Sequence, residues 1–358
     1  MMAGERTVGE VGELALLQRL RDRLHRWQPT EPGCLGIGDD AAVIPAAGDD
    51  QLVVTTDMLV AGTHFRPGEI VPADLGHKSL AINLSDLAAM GAVPACFFLA
   101  LGLPPSLPLA WLDEFWEGMF SLAAAADVRL LGGDTVRSAA IVVAVTLHGC
   151  TRGAAAVCRT GGRPGDRLYV SGTLGDSALG LEIITRRHGG QPFDERLTMP
   201  AAALEDSEDA AFLVRRHCRP EPRLALGRWL AENRVASAML DLSDGLLIDL
   251  DRLLTAGGPE LGAELELARL PLSAAYRHLR QPEWPVAGCL PALVGGEDYE
   301  LLFAVPPARE PVLAAASSRW GVQVSRIGVL TAEPGIRLRL ADGRCRPAAG
   351  LSGFEHFS

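Results

Sequence analysis

Short apolar runs bounded by glycine, proline and acidic residues recur along the chain, interleaved with stretches in which apolar positions return every three or four residues. The first such stretch, Leu14-Ala15-Leu16-Leu17-Gln18-Arg19-Leu20 with Leu24, predicts an N-terminal helix broken by Pro29 to Gly33. The β-branched run Leu52 to Thr56 predicts a strand that delivers Thr56 and Asp57 at its carboxyl end. A helix is predicted from Asp74, a candidate cap, through Met90, with Gly91 as its stop and Pro94 beyond. On it Ser79, Asn83, Asp86 and Met90 share one face while Ala81, Leu84 and Ala88 share the other, so the polar face is expected to look into a site. Further on, Cys96 to Leu103 reads as a buried strand, and Ser106 to Ala126 as a helix with Trp111, Phe115, Met119 and Leu122 toward the core. Val128 to Leu131 leads into Gly132-Gly133-Asp134-Thr135, where glycines allow close backbone approach to a ligand, and Ile141 to His148 forms another strand. Strands are also expected at Arg167 to Ser171, Tyr299 to Val305 and Val322 to Leu330, with a hairpin over Ile336 to Arg344 and a helix running toward Leu254. Thr185 to Asp209, rich in charge, glycine and proline, reads as a surface excursion without chemistry, and Leu261 to Pro291 offers no motif to anchor it.

This alternation predicts an α/β (α+β) fold, and 358 residues divide naturally into two domains with cores of their own, taken here as 1–153 and 154–358. No apolar run approaches the ~18 residues of a membrane span. Met1 to Glu13 lacks the features of a secretory signal, so a cytoplasmic protein is expected. The seven cysteines are scattered and form no C-x-x-C pair, as expected of reduced thiols. A net charge of −11 argues against nucleic acid and anionic membrane as partners. Anionic substrates would need local cations.

Candidate chemistry lies in acidic motifs placed where strands appear to end. Gly36-Ile37-Gly38-Asp39-Asp40 sets two carboxylates side by side on a flexible turn, which costs free energy unless a cation neutralises them. Thr55-Thr56-Asp57, Asn83-Leu84-Ser85-Asp86, Gly132-Gly133-Asp134, Asp241-Leu242-Ser243-Asp244-Gly245 and Gly295-Gly296-Glu297-Asp298-Tyr299-Glu300 add five more clusters. Hydroxyls and carboxylates together make hard-oxygen sites suited to magnesium. The usual phosphate loop G-x-x-x-x-G-K-[S/T] is missing, as is a dinucleotide fingerprint, so a phosphate site would be built from metal-bridging carboxylates, glycine-turn amides and arginine.

The blocks GIGDDAAV, TTD, AGTHF, NLSDLAAMGAVP, GGDT, DLSDGL and GGEDYEL, in this order over nearly the whole chain, closely resemble the thiamine-monophosphate kinase family of the aminoimidazole ribonucleotide synthetase superfamily. The resemblance implies a two-domain fold of that superfamily, with an N-terminal sheet domain that dimerises and a C-terminal α/β domain. It implies ATP-dependent phosphorylation of thiamine monophosphate to thiamine diphosphate, by direct in-line transfer with several Mg2+ ions. Matching motif by motif, the resemblance puts Asp40, Thr55, Thr56, Asp57, Asp86, Asp134, Asp241 and Asp244 on metal positions, of which Asp57, Asp86 and Asp134 carry the catalysis. Gly133, Asp134, Arg159 and Ser243 match nucleotide positions, and His64, Glu297 and Phe354 substrate positions, with Asp39 behind the first metal ligand. Two alternatives stand beside it. Superfamily relatives acting on other substrates carry a reactive cysteine or selenocysteine in a glycine-rich N-terminus, or a C-terminal cysteine, and neither is seen here. A non-catalytic metal- or nucleotide-binding protein would consume no ATP.

Overall fold

The computed structural model describes residues 33–351 apart from 36–37, 47, 49, 152, 154, 192–198, 200–204, 206, 281–284, 317 and 349, together with Gln18 and Asp22. The predicted N-terminal helix is therefore almost wholly outside the described residues, as are Gly36, Ile37 and Phe354.

Two sheets organise the chain. The first holds β1 (Ala42–Pro45), β2 (Gln51–Val60), β3 (Val93–Leu103), β4 (Arg129–Arg137) and β5 (Val142–Thr151), in the order β1-β2-β5-β3-β4. Only β3 and β4 run parallel. Buried and accessible residues alternate along β5, as in a sheet with one covered face. Helices α1 (Pro72–Ala89) and α2 (Leu109–Ala125) supply the cover, enclosing Leu80, Leu84, Phe97, Phe115, Met119 and Leu147. On the other face Thr56, Met58 and Phe98 are exposed, and all nine residues of β4 are exposed at the sheet's edge.

The second sheet is seven-stranded, in the order β12-β11-β8-β10-β6-β9-β7. Its strands are β6 (Arg167–Ser171), β7 (Ala238–Asp241), β8 (Gly262–Glu266), β9 (Leu301–Val305), β10 (Val324–Thr331), β11 (Gly335–Arg339) and β12 (Cys345–Pro347). Helices α3 (Asp176–Arg187), α4 (Glu208–Cys218) and α6 (Leu246–Gly257) share its larger core, through Leu179, Leu213 and Leu250 with Leu240 and Leu302. Helix α5 (Leu224–Glu232) closes a further core, where Leu230 and Phe303 meet Ala88 and Ala89 of α1. Thus α1 is packed against both halves.

Local chemistry explains where these elements begin and end. Pro72 occupies the start of α1 after extended Val71, where a missing N–H costs nothing, so Asp74 is a first-turn acid and not the cap. Its carboxylate instead receives Arg219 Nη1 at 2.8 Å. Gly91, at φ 68°, closes the helix while Ala92 N donates to Leu87 O at 2.9 Å. The close backbone approach expected of the glycines at 132 and 133 is made here to a neighbouring strand. Gly132 and Gly133 lie within β4, opposite Phe98 and Leu99 beside a register shift, because a Cβ on Gly133 would stand 1.8 Å from Leu99 O. Glycine here signals close backbone approach. Helix α3 continues to Arg187 with Thr185 buried, so the surface excursion starts later than its composition suggests, and β8 lies in a segment where no motif announced a strand.

Helices α1 and α2 cross at glycines: a Cβ on Gly118 would meet Ala73 O at 1.8 Å, and one on Gly76 would meet Phe115 O at 1.9 Å. Neither obstacle is a flexible side chain. Gly118→Ala should therefore cost about 1–3 kcal/mol, read as a lower urea midpoint at unchanged slope. A midpoint equal to that of the unmodified protein would show that the crossing is looser than described.

Candidate active site

Three carboxylates from separate elements converge between the sheets. Asp40 comes from the turn before β1, Asp86 from the last turn of α1 and Asp241 from the end of β7, and one oxygen from each lies within 4.8 Å of the others. Short hydroxyl bonds aim them: Thr55 Oγ1 donates to Asp86 Oδ2 at 2.5 Å, and Ser85 Oγ donates to Asp241 Oδ2 at 2.6 Å. Asp57, two residues beyond Thr55 on the same face of β2, shares a hydrogen bond with Asp86 and feels the charges of Asp244 and Asp40. Asp39 stands behind Asp40, its Oδ1 accepting from Asp40 N at 3.0 Å and its Oδ2 from Arg159 N at 3.0 Å.

Burial and mutual repulsion leave this group short of positive charge. Burial, followed by the charges of Asp57, Asp241 and Asp40, pushes Asp86 well above the ordinary carboxylate range. Asp241 is pushed well up by burial and then by Asp40. Burial raises Asp57 to about 6, and burial plus the Asp40 charge raises Asp39 to about 6. Asp40 is also raised by burial, although Arg159 Nη2 donates to its Oδ1 at 2.6 Å. The end of a helix is moreover the wrong place for an anion, since the macrodipole there is negative. Among the described residues the buried Asp40 Oδ2 has no hydrogen-bond partner. An orphaned buried carboxylate oxygen facing two further carboxylates fits a hard divalent cation such as Mg2+.

A second acidic pair flanks the cluster. Arg252 Nη1 lies 2.6 Å from Asp244 Oδ2 and 2.8 Å from Asp249 Oδ1, while Asp249 Oδ2 accepts from the backbone N–H groups of Asp244 and Gly245. Burial and then the Asp244 charge raise Asp249 to about 7. Sequence reading passed over Asp249 and Arg252, because helix periodicity made them ordinary polar positions; their spacing after Asp-Gly was the available signal.

The expected substrate residues divide. Burial raises Glu297, but the charges of Lys78 and then His217, with a smaller contribution from His64, hold it below its usual value. His64 Nδ1 accepts from Val60 N at 3.1 Å, and Glu297 N donates to Ser243 O at 2.7 Å. Tyr299 is buried, its hydroxyl pushed well up by burial and then by the charges of Glu297, Asp57, Asp241 and Asp244. Thr56 faces away from Thr55 and Asp57, its Oγ1 donating to Val145 O at 3.1 Å on the uncovered side of the sheet. Gly133 and Asp134 lie on β4, separated from β2 by β5 and β3. Three strand spacings amount to roughly 14 Å, so one chain does not bring Asp134 to Asp57.

Residues 38–151 match the family described as AIR synthase related protein, N-terminal domain, and residues 163–341 match its C-terminal domain. The thiamine-monophosphate kinase of Escherichia coli strain K12 is 40% identical over 347 residues, covering 97% of this chain and 98% of the relative. The chain belongs to the thiamine-monophosphate kinase family. A Caulobacter vibrioides member is 38% identical over 308 residues, covering 86% of this chain and 81% of its own. Among solved structures, AaThiL complexed with AMPPCP and TMP superposes at a TM-score of 0.80 with 28% identity, covering 99% of this chain and all of the other. The thiamine-monophosphate kinase of Stenotrophomonas maltophilia K279a superposes at 0.71 with 37% identity, over 91% of this chain and 96% of that one. The hydrogenase maturation protein HypE of E. coli, at 24% identity and a TM-score of 0.66, shares the fold.

Cation binding at these raised carboxylates would be sensitive to pH. In the metal-free protein Asp57 holds its proton up to about pH 6, whereas the unfolded chain releases it near pH 4. Rising pH across that window therefore destabilises the metal-free fold, and a bound cation offsets the penalty. The rise in Tm on adding Mg2+ should be larger at about pH 7.5 than at about pH 5. Equal rises at both values would dissociate the cluster from cation binding.

Proposed function

We propose that this chain transfers the γ-phosphoryl group of ATP directly to thiamine monophosphate, giving thiamine diphosphate and ADP. The convergence of Asp40, Asp86 and Asp241 carries this reading. Asp40, Thr55, Asp57, Asp86, Asp241 and Asp244 would hold several Mg2+ ions. Bound there, the ions supply the positive charge that lets one phosphate approach another in a chain of net charge −11. Arg159, pinned by Asp39 and Asp40, offers a guanidinium to the nucleotide, and Glu297 offers an anionic acceptor to the cationic rings of thiamine. The AaThiL complex, with AMPPCP and TMP together, supports this pairing of substrates. No described helix is long and apolar enough to cross a membrane, and all seven cysteines are free thiols, which suits a reaction in the reducing cytoplasm.

ADP release should depend on thiamine monophosphate, with free thiamine a very poor acceptor because it has no phosphate to bring to the cations. Asp86→Ala should lower kcat by about 100-fold or more, the scale seen when one electrostatic group is removed from a reacting centre. Equal turnover of thiamine and its monophosphate, or ADP release indifferent to either, would sink the assignment.

The same reading needs a second copy of the chain. Leu131 and Val136 on β4 and Met58 on the open sheet face are 58%, 55% and 55% exposed, an apolar surface that an N-terminal sheet from another copy would cover. Such pairing would bring Gly133 and Asp134 of one copy toward Asp57 of the other. Asp57→Asn and Asp134→Asn homodimers should each be inactive, while mixing and reannealing the two should restore activity through the one site in which both residues are intact. Failure of the mixed species to regain turnover would place all the ligands within one chain.

A further inference from the structure

Lys78 is the only lysine among the 33 lysine and arginine residues of the chain, and it is buried in α1 at 2% exposure. An ammonium group in such a place is costly unless it is paired and fully hydrogen-bonded. Its Nζ lies 2.9 Å from Glu297 Oε1 and 3.3 Å from His217 Nε2. Because an ammonium group only donates, His217 Nε2 must accept, and the ring's one proton resides on Nδ1. Burial and then the Lys78 charge depress His217 to about 4, which keeps the ring neutral and this tautomer in place. The Nδ1–H therefore faces Ser177 Oγ at 3.1 Å and Glu297 Oε2 at 3.4 Å.

One oxygen of Glu297 is thus paired with a charge, and the other lies 3.4 Å from the His217 ring nitrogen that bonds Ser177. The backbone adds strain: Glu297 at φ 64° and Tyr299 at φ 49° are left-handed without being glycine. The Glu297 side chain remains 26% accessible, which leaves its outer side open to a ligand.

We infer that Lys78 and His217 are positioning residues that fix the Glu297 carboxylate for recognition of the acceptor's cationic, N–H-bearing rings. This rests on Glu297 contacting thiamine monophosphate, as proposed above. Neither residue touches the phosphate-handling carboxylates, so ring recognition and phosphoryl transfer separate kinetically. A purely structural tether would instead lower Tm and disturb both substrates alike.

Steady-state kinetics on the full chain, with ATP and thiamine monophosphate varied in turn, distinguishes these cases. Lys78→Met should raise the KM for thiamine monophosphate about tenfold or more while leaving the KM for ATP within about twofold, since uniform binding of one substrate is lost. His217→Phe should do the same, whereas His217→Asn, whose amide nitrogen takes the place of Nδ1, should keep the KM within about threefold of normal. The His217 pair preserves the test if Lys78→Met fails to fold. Identical behaviour of Phe and Asn at 217, or parallel changes in both KM values with a fall in Tm, would overturn the assignment. Unmodified protein that does not turn over thiamine monophosphate would remove the substrate reading itself, whereas normal turnover with unchanged KM in the His217 variants would remove only the roles of Lys78 and His217.

Discussion

Burying several carboxylates within a few ångströms of one another is the constraint to which much of this molecule answers. Asp40, Asp86 and Asp241 are drawn from a turn, a helix end and a strand end in two separate sheets, so their meeting requires both halves to be folded and docked. Protein groups neutralise them only in part. Arg159 covers Asp40 from one side and Arg252 covers Asp244 and Asp249 from another, while the free oxygen of Asp40 is left without a donor among the described residues. The fold thereby stores an electrostatic deficit that a cation can relieve, and the free energy of relieving it is available for ligand binding.

The loop from Gly295 to Glu300 meets the same problem with the opposite solution. Here one carboxylate, Glu297, is supplied with its full counter-charge by Lys78, and Glu300 is supplied by Arg216 and Arg223 with Ser171 donating to its second oxygen. Asp298 receives Gly175 N at 2.6 Å and Ser177 N at 3.2 Å. Three acidic residues in four positions are thus held by protein groups, which stabilises left-handed backbone at Glu297 and Tyr299. The two acidic regions differ in how much of their counter-charge the protein itself provides.

Much of this was legible in the sequence. The strand at Arg167 to Ser171 lies where its pattern placed it, and the polar face of α1 does turn Asn83 and Asp86 inward, because an acid among small apolar residues has little reason to be there otherwise. The carboxylates that meet were all visible as motifs. Their partners were not: Lys78 and His217 are separated by 139 positions, and Asp249 looked like any polar helix residue. Glycine was ambiguous for a physical reason, since Gly133 serves close strand packing where close approach to a ligand was expected. Element ends fell where Pro72 and Gly91 imposed them, but β8 follows from pairing with β10 and β11, long-range contacts that no local pattern encodes.

Helix α1 carries Lys78 and Asp86 on one unbroken span, eight residues apart, which is about 12 Å along its axis. Lys78, in its first half, meets the glutamate that would hold the rings, and its last turn reaches the carboxylate cluster that would hold phosphates. A helix is stiff over this length and is packed into both halves of the protein, so the spacing between the two stations is fixed by covalent geometry and not by loop adjustment. With those roles the site would be a gauge: an acceptor whose phosphate hangs too near its rings, or too far from them, would satisfy one station only by vacating the other.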